Sequence, residues 1–150
     1  MRFEVGNISS LTTATADSPL VAIRAPATAI CKIREIGITL IDATETRLGL
    51  ARATTVSVTP GTDKFGQNTV PGGPASLTRL VSSWATAPVI GSTYLRRILI
   101  PNSKGAGVIW QWPSDAPLIV GLGSAIGEIV IANLVAVACG TFEYWVAFED

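Results

Sequence analysis

Histidine is absent from the 150-residue chain, and with it go Ser-His-Asp and Cys-His catalysis and every His-ligated metal site. Charge is scarce: Asp, Glu, Lys and Arg make up 15% of the residues, against about 25% in an ordinary domain. The 11 acidic and 11 basic residues cancel. No excess of Lys and Arg remains to form the electrostatic footprint of a nucleic-acid or membrane-surface binder. The only cysteines, Cys31 and Cys139, lie far apart in strand-like stretches. They could pair only across neighbouring strands at the right Cα separation, and two buried, reduced thiols are the expectation. Two thiols alone do not make a zinc site. The longest apolar run, residues 126–139, is interrupted by Glu128 and Asn133. It is too short to cross a bilayer and suits buried strands. Met1-Arg2-Phe3-Glu4 opens the chain without an apolar signal-peptide core, so no secretion signal is expected.

What remains is a chain of one-domain length, able to bury roughly 70% of its unfolded surface without metal or disulfide help. Val, Ile and Thr dominate, and Gly or Pro recurs about every ten residues, which is a strand-and-turn pattern. The alternation predicts strands over 3–8, 20–24, 29–41, 47–58, 94–100, 107–112, 117–122, 126–139 and 141–148. Residues 101–105 read as a hairpin-like turn, and 76–83 as a short helix or a strand beginning at Leu77. In 29–41 the apolar parity changes: Cys31 and Ile33 share one, Ile36, Ile38 and Leu40 the other. Both sets can face one core only if an extra residue is inserted near Arg34-Glu35, which predicts a β-bulge.

Ile129 to Ala132 is apolar on both parities, as for a strand covered on both sides, one side by the core and the other by a partner chain. Residues 59–76 form the longest stretch without a clear pattern. Such a segment is an arm reaching a neighbouring subunit or a flexible surface loop. The fold class is all-β: an antiparallel β-sandwich, jelly-roll-like, in a single domain over 1–150 with one long loop and a possible extension over 1–19. Low charge fits a chain that buries surface against partners, since interface cores are depleted in charge. A monomer with a Thr-rich β surface would look the same.

Several motifs carry chemistry on paper. Gly121-Leu122-Gly123-Ser124-Ala125-Ile126-Gly127 has the glycines of a dinucleotide loop, but Glu-Ile-Val-Ile follows instead of a helix, which makes it a turn. Glu143 with Glu149, or Asp42 with Glu45, could form a carboxylate pair, although acids at strand ends and turns are ordinarily solvated. Ser103-Lys104 lacks a protease spacing, Asp63 alone is little of a calcium site, and Asn7-Ile8-Ser9 matters only on a secretory route. Trp110-Gln111-Trp112 puts two indoles on one strand face, as a carbohydrate platform or as packing. Arg52 falls on the apolar parity, at a strand end or opposite a carboxylate. Arg96-Arg97 point to opposite faces, and one is expected in an intersubunit or cross-strand ion pair.

Cys31-Lys32-Ile33-Arg34-Glu35-Ile36-Gly37-Ile38 with Arg47-Leu48-Gly49-Leu50-Ala51-Arg52 resembles the first half of small β-sandwich virion proteins of tailed bacteriophages. So do Leu95-Arg96-Arg97-Ile98, residues 105–113 and the acidic-ended strand 140–149, and the likeness covers most of 20–150. The resemblance implies a non-enzymatic structural protein without cofactors. Proteins of that kind are capsid decoration (cement) proteins, head-fibre bases and collar or tail accessory proteins, and neutrality, low charge and the long loop favour a decoration protein, assembled in the host cytoplasm and resident in the virion. Its partners would be itself, as a homotrimer, and the major capsid or another virion protein, with neither nucleic acid nor membrane. The expected contacts are Arg2 and Phe3 in segment 2–11, Phe65, Gln67 and Asn68 in the loop, Trp110, Trp112 and Trp145, and Ile129 and Ile131 in the apolar strand. The alternatives are a carbohydrate- or receptor-binding module of a tail, collar or fibre, and a small histidine-free enzyme that depends on an acid such as Glu143.

Overall fold

A computed structural model describes residues 1–9, 13–61, 63–121 and 126–150, excluding the Asp63 side chain. Four strands open the chain: β1 (Arg2–Ile8), β2 (Ser18–Ala25), β3 (Cys31–Leu40) and β4 (Thr46–Thr55). A long connection carries six short ones: β5 (Val58–Pro60), β6 (Asp63–Phe65), β7 (Gln67–Asn68), β8 (Arg79–Val81), β9 (Trp84–Thr86) and β10 (Val89–Ile90). The return half is β11 (Arg96–Ile100), β12 (Gly107–Gln111), β13 (Leu118–Val120), β14 (Gly127–Asn133) and β15 (Phe142–Glu149). Among the described residues no helix is long and apolar enough to cross a membrane.

Eight of these strands are nested. β1 pairs with β15, β2 with β14, β3 with β12 and β4 with β11, all antiparallel. Apart from β4 and β11, which pair with each other, successive strands of the eight alternate between two sheets, so the ribbon rolls up into β1-β15-β3-β12 packed on β2-β14-β4-β11. That is the jelly roll, with its two Greek keys. β7 and β13 extend the first sheet, β6, β8 and β10 the second, and β5 and β9 pair separately.

The core lies between the sheets and is built from the inward parity of each strand: Val21 and Ile23, Ile36 and Ile38, Leu48 and Leu50, Ile129 and Ile131, Phe142 and Val146. Each such side chain contributes about 1.5–3 kcal/mol by leaving water. Phe3 stacks on Phe148 with ring centroids 5.6 Å apart, locking the first strand to the last. Cys31 and Cys139 are buried, unbridged thiols, and burial pushes both thiol pKa values up.

The bulge falls where the parity change requires it. Ala147 pairs with Glu35 and Phe148 with Ile33, so Arg34 is the extra residue. Cys31, Ile33, Ile36, Ile38 and Leu40 therefore all reach one core.

Three expectations are corrected. Residues 101–105 make no hairpin, because β11 belongs to the second sheet with β4 and β12 to the first with β3. A turn signal marks a change of direction without saying whether the chain stays in its sheet. The outer side of β14 is covered by the chain itself: Val130 and Ala132 join Ala22 and Val81 beneath Ala53, Trp84, Ile90 and Tyr94, most of them from the β4–β11 connection. Finally, residues 59–76 are tied down at both ends of their path. β6 pairs with β8 on the edge of the second sheet, and β7 pairs with β1 on the edge of the first. Gly66 between them lies so close to the core that a Cβ there would stand 2.4 Å from the Phe148 ring.

A buried polar cluster anchors the start of that connection. Glu128 and Arg24 face each other across β14 and β2 and meet at 2.7 Å, with the Glu128 side chain fully buried. The Ser57 amide donates to Glu128 Oε2 at 2.9 Å, and Arg24 Nη1 donates to the Ser57 carbonyl at 2.9 Å. Asn133, the other polar interruption of the apolar run, donates from Nδ2 to the carbonyls of Thr13, Val135 and Val137, closing the turn after β14.

Candidate functional site

The outer face of the first sheet carries the outward parity of β1, β15, β3 and β12. One cross-strand row reads Gly6, Trp145, Gly37, Ile109. Glycine in mid-strand marks close approach by something else, and here it is the Trp145 indole. A Cβ on Gly37 would stand 1.9 Å from Trp145 Cζ2 and 2.1 Å from Cε2, so the ring lies across β3. Its Nε1 donates to Glu35 Oε1 at 2.8 Å, while Gln111 Nε2 donates to Glu35 Oε2 at 2.8 Å. These two hydrogen bonds, Gln111's first, hold the Glu35 carboxyl below its ordinary pKa. The indole is thus supported on the sheet and fixed at its edge, with Gly6 leaving its other flank open.

That flank is a cleft of about 400 Å3 lined by Glu4, Val5, Gly6, Lys64, Phe65, Gln67 and Trp145. Three of the contact candidates therefore converge: Phe65, Gln67 and Trp145, supplied by β6, β7 and β15. A second depression of about 320 Å3 adjoins it, with Asn7, Ile8 and Glu143 beside Trp145.

A larger hollow of about 560 Å3 on the same sheet is walled by Arg2, Arg34, Glu35, Gln111, Trp112 and Glu149. The bulge points Arg34 into it, but four of its five N–H donors are engaged. Nε and Nη2 reach the two Glu149 oxygens at 3.1 and 2.8 Å, and Nη1 reaches the carbonyls of Pro113 and Ser114. Arg34 holds the Glu149 carboxyl below the usual range. This hollow is a structural clasp between β3, β15 and the turn after β12.

The remaining candidates are placed elsewhere. Arg2 is exposed and pairs with Glu4 at 2.9 Å, on the rim of the larger hollow. Phe3 points inward and is 3% exposed. Asn68 is occupied in its own turn, donating to the Pro74 carbonyl at 3.2 Å and accepting from the Val70 amide at 2.8 Å. Trp110 is buried and Trp112 packs half-buried against the inter-sheet core, so the two indoles form no open platform. Ile129 and Ile131 are fully buried between the sheets. Trp110, Ile129 and Ile131 point into the core because β12 and β14 have an apolar residue on each parity, and only pairing decides which faces in, while Trp112 follows the end of β12 and also walls the larger hollow. Sequence reasoning misses Glu4, Gly6, Lys64, Glu35, Gly37 and Gln111, for which the one available cue is a glycine inside each of the expected strands 3–8 and 29–41.

The other motifs resolve into structure. Glu143 and Glu149 lie six residues apart along one strand, roughly 20 Å at the rise of a β-strand, beyond the separation at which two carboxyls flank one glycosidic bond. Asp42 closes turns, accepting from the Thr44 and Thr141 amides at 3.1 and 2.8 Å. Arg52 donates to the Ile119 carbonyl at 2.6 Å. Arg96 and Arg97 lie over the rings of Trp112 and Tyr94 at 5.8 and 5.5 Å, contacts made in place of a cross-strand ion pair. Among the described residues no three His, Cys, Asp or Glu side chains group to hold a metal. The centre of the 121–127 glycine motif and the Asp63 side chain lie outside the described residues.

No family model, curated protein or solved structure matches the chain.

Proposed function

We propose that this chain is a structural protein of a tailed-bacteriophage particle, a decoration protein that binds the assembled head as a homotrimer. Jelly rolls serve in capsids and in lectins, and the step from fold to role is one of analogy. The observation that carries the reading is the convergence of Phe65, Gln67 and Trp145 on a rigid sheet face, on a sandwich of low charge whose strand segments resemble small phage virion proteins. A preformed face of this kind binds without folding cost. Binding only to the assembled shell stabilises it by mass action, about 2.7 kcal/mol per site at a free concentration one hundred times the dissociation constant. Repeated over a lattice, modest contacts add through avidity.

Two measurements test this. Light scattering of the purified protein should give a mass near three times 15.7 kDa. Immunogold labelling of particles from the source, with an antibody against the recombinant chain, should decorate heads at regular spacing. A monomer at all concentrations, with no label on any particle, overturns the proposal.

A further inference from the structure

We infer that the cleft between Trp145 and Phe65 is a binding site for a neutral hexopyranose unit of a glycan, stacked on the Trp145 indole. This goes beyond the particle role; it draws on the same convergence of Phe65, Gln67 and Trp145, and its test, sugar binding, is separate from the mass and labelling measurements that test that role.

The shape comes first. The indole lies across Gly37 and is pinned through Nε1 to Glu35, so it cannot swing upright without losing that bond. Gly6 on the facing strand gives the cleft a floor without a side chain, and Phe65, 45% exposed, stands opposite. The volume of about 400 Å3 falls within the roughly 300–1,000 Å3 of small-ligand sites.

The chemistry narrows the ligand. One side of a hexopyranose ring presents C–H groups polarised by adjacent oxygens, which suit the negative face of an indole. Its rim presents hydroxyls that both donate and accept. Glu4 accepts, Lys64 donates and Gln67 does both, and all three line the cleft beside the aromatic wall.

Charge decides among amphipathic ligands. The charges around the cleft balance: Arg2, paired with Glu4 at 2.9 Å, Lys64, and Arg79 over the Phe65 ring stand against Glu4 itself and against Glu35 and Glu143 just beyond Trp145. Phosphate-bearing or carboxylate-bearing ligands would meet those acids. A quaternary ammonium would meet Lys64 inside the cleft. A neutral sugar meets neither penalty.

The test is saturation-transfer NMR on the intact protein with the methyl glycosides of glucose, galactose and mannose and with N-acetylglucosamine, alongside glucuronate and choline. At least one neutral sugar should receive saturation, strongest on the C–H face of the ring. Trp145→Ala should weaken its binding at least tenfold, and so should Gly37→Ala by displacing the indole. Gln67→Ala is a milder change in case Trp145→Ala misfolds, and should weaken binding several-fold with the circular dichroism spectrum intact. Trp84→Phe, in β9 over the outer side of the second sheet, should leave binding unchanged. Three outcomes overturn the proposal: no transfer to any neutral sugar, binding undiminished in both Trp145→Ala and Gln67→Ala, or tighter binding of glucuronate or choline. A Trp145 emission that responds to protein concentration and never to sugar also overturns it, in favour of a second copy of the chain in the cleft.

Discussion

Replacing Gly37 with alanine tests the geometry of the site with a single methyl group. The new Cβ would meet Trp145 at 1.9 Å, and ordinary contact begins near 3.4 Å, so the ring must retreat by 3.4 − 1.9 = 1.5 Å. Backbone pairing of Gly37 with Trp145 and Ile109 prevents β3 from moving instead. Cε2, among the clashing atoms, is bonded to Nε1, so the retreat bends or breaks the 2.8 Å bond to Glu35. A hydrogen bond to a charged group is worth about 1.5–3 kcal/mol, at the low end for a half-exposed ring. Alanine returns about 0.5–1 kcal/mol over glycine in a strand. The clash wins, and the net loss at neutral pH should be about 1 kcal/mol. With a urea slope of about 1–3 kcal/mol/M for a chain of this size, the unfolding midpoint falls by roughly 0.3–1 M at unchanged slope. The pH dependence adds a sign. Glu35 is held below its ordinary pKa by Gln111 and Trp145, so its stabilisation is full above the unfolded value, about 4.3, and is lost as pH falls through the folded value. Wild type and variant should therefore converge in acid. A variant as stable as wild type at pH 7, with unchanged near-ultraviolet circular dichroism, would refute the account of the indole lying on Gly37.

Two further substitutions probe the clasps that hold the connections in place. Glu128→Ala leaves Arg24 buried without its carboxylate and the Ser57 amide without its acceptor, and should cost about 3–5 kcal/mol, measured by urea unfolding. The paired replacement Arg24→Met with Glu128→Leu should recover most of that loss, and an additive double variant would contradict the coupling. Arg34→Gln removes both bonds to Glu149. Because Arg34 depresses the Glu149 pKa, the wild-type advantage should be complete above about pH 4.3. It should shrink as pH falls through the folded value, leaving the part due to the Pro113 and Ser114 carbonyls that Arg34 also holds, and unfolding midpoints that differ by the same amount at pH 7 and in strong acid would rule this out.

The bulge was legible because a parity change within one strand has a local cause, one inserted residue, and Arg34 is that residue. The order of the strands was not, since Phe3 meets Phe148 and Arg24 meets Glu128 through contacts that leave no mark on either segment alone. For the same reason a strand apolar on both faces reveals that something covers it, but not that Trp84 and Tyr94 of the same chain do so. The tryptophans divide along this line. Trp145 faces outward together with Glu143 and Glu149, in a strand whose other parity is Phe142, Tyr144, Val146 and Phe148, so its side of the sheet could be read directly. Trp110 sits between Ile109 and Gln111 with Val108 on its own parity, and only pairing with Ile36 turns it inward. What no single segment contains is the row Gly6, Trp145, Gly37, assembled from three strands. Glycine weakens a strand by about 0.5–1 kcal/mol relative to alanine, and this sheet carries it on both sides of one indole. At Gly37 any side chain would strike the ring, and at Gly6 a Cβ would sit in ordinary contact at 3.4 Å from the nearest atom. Steric necessity therefore accounts for the first glycine and not for the second, whose effect is to keep the cleft floor bare beside Trp145. Gly6→Ala, whose Cβ fits in ordinary contact, should raise stability by about 0.5–1 kcal/mol while weakening sugar binding, and a loss of stability together with binding would mean that Gly6 serves the fold alone.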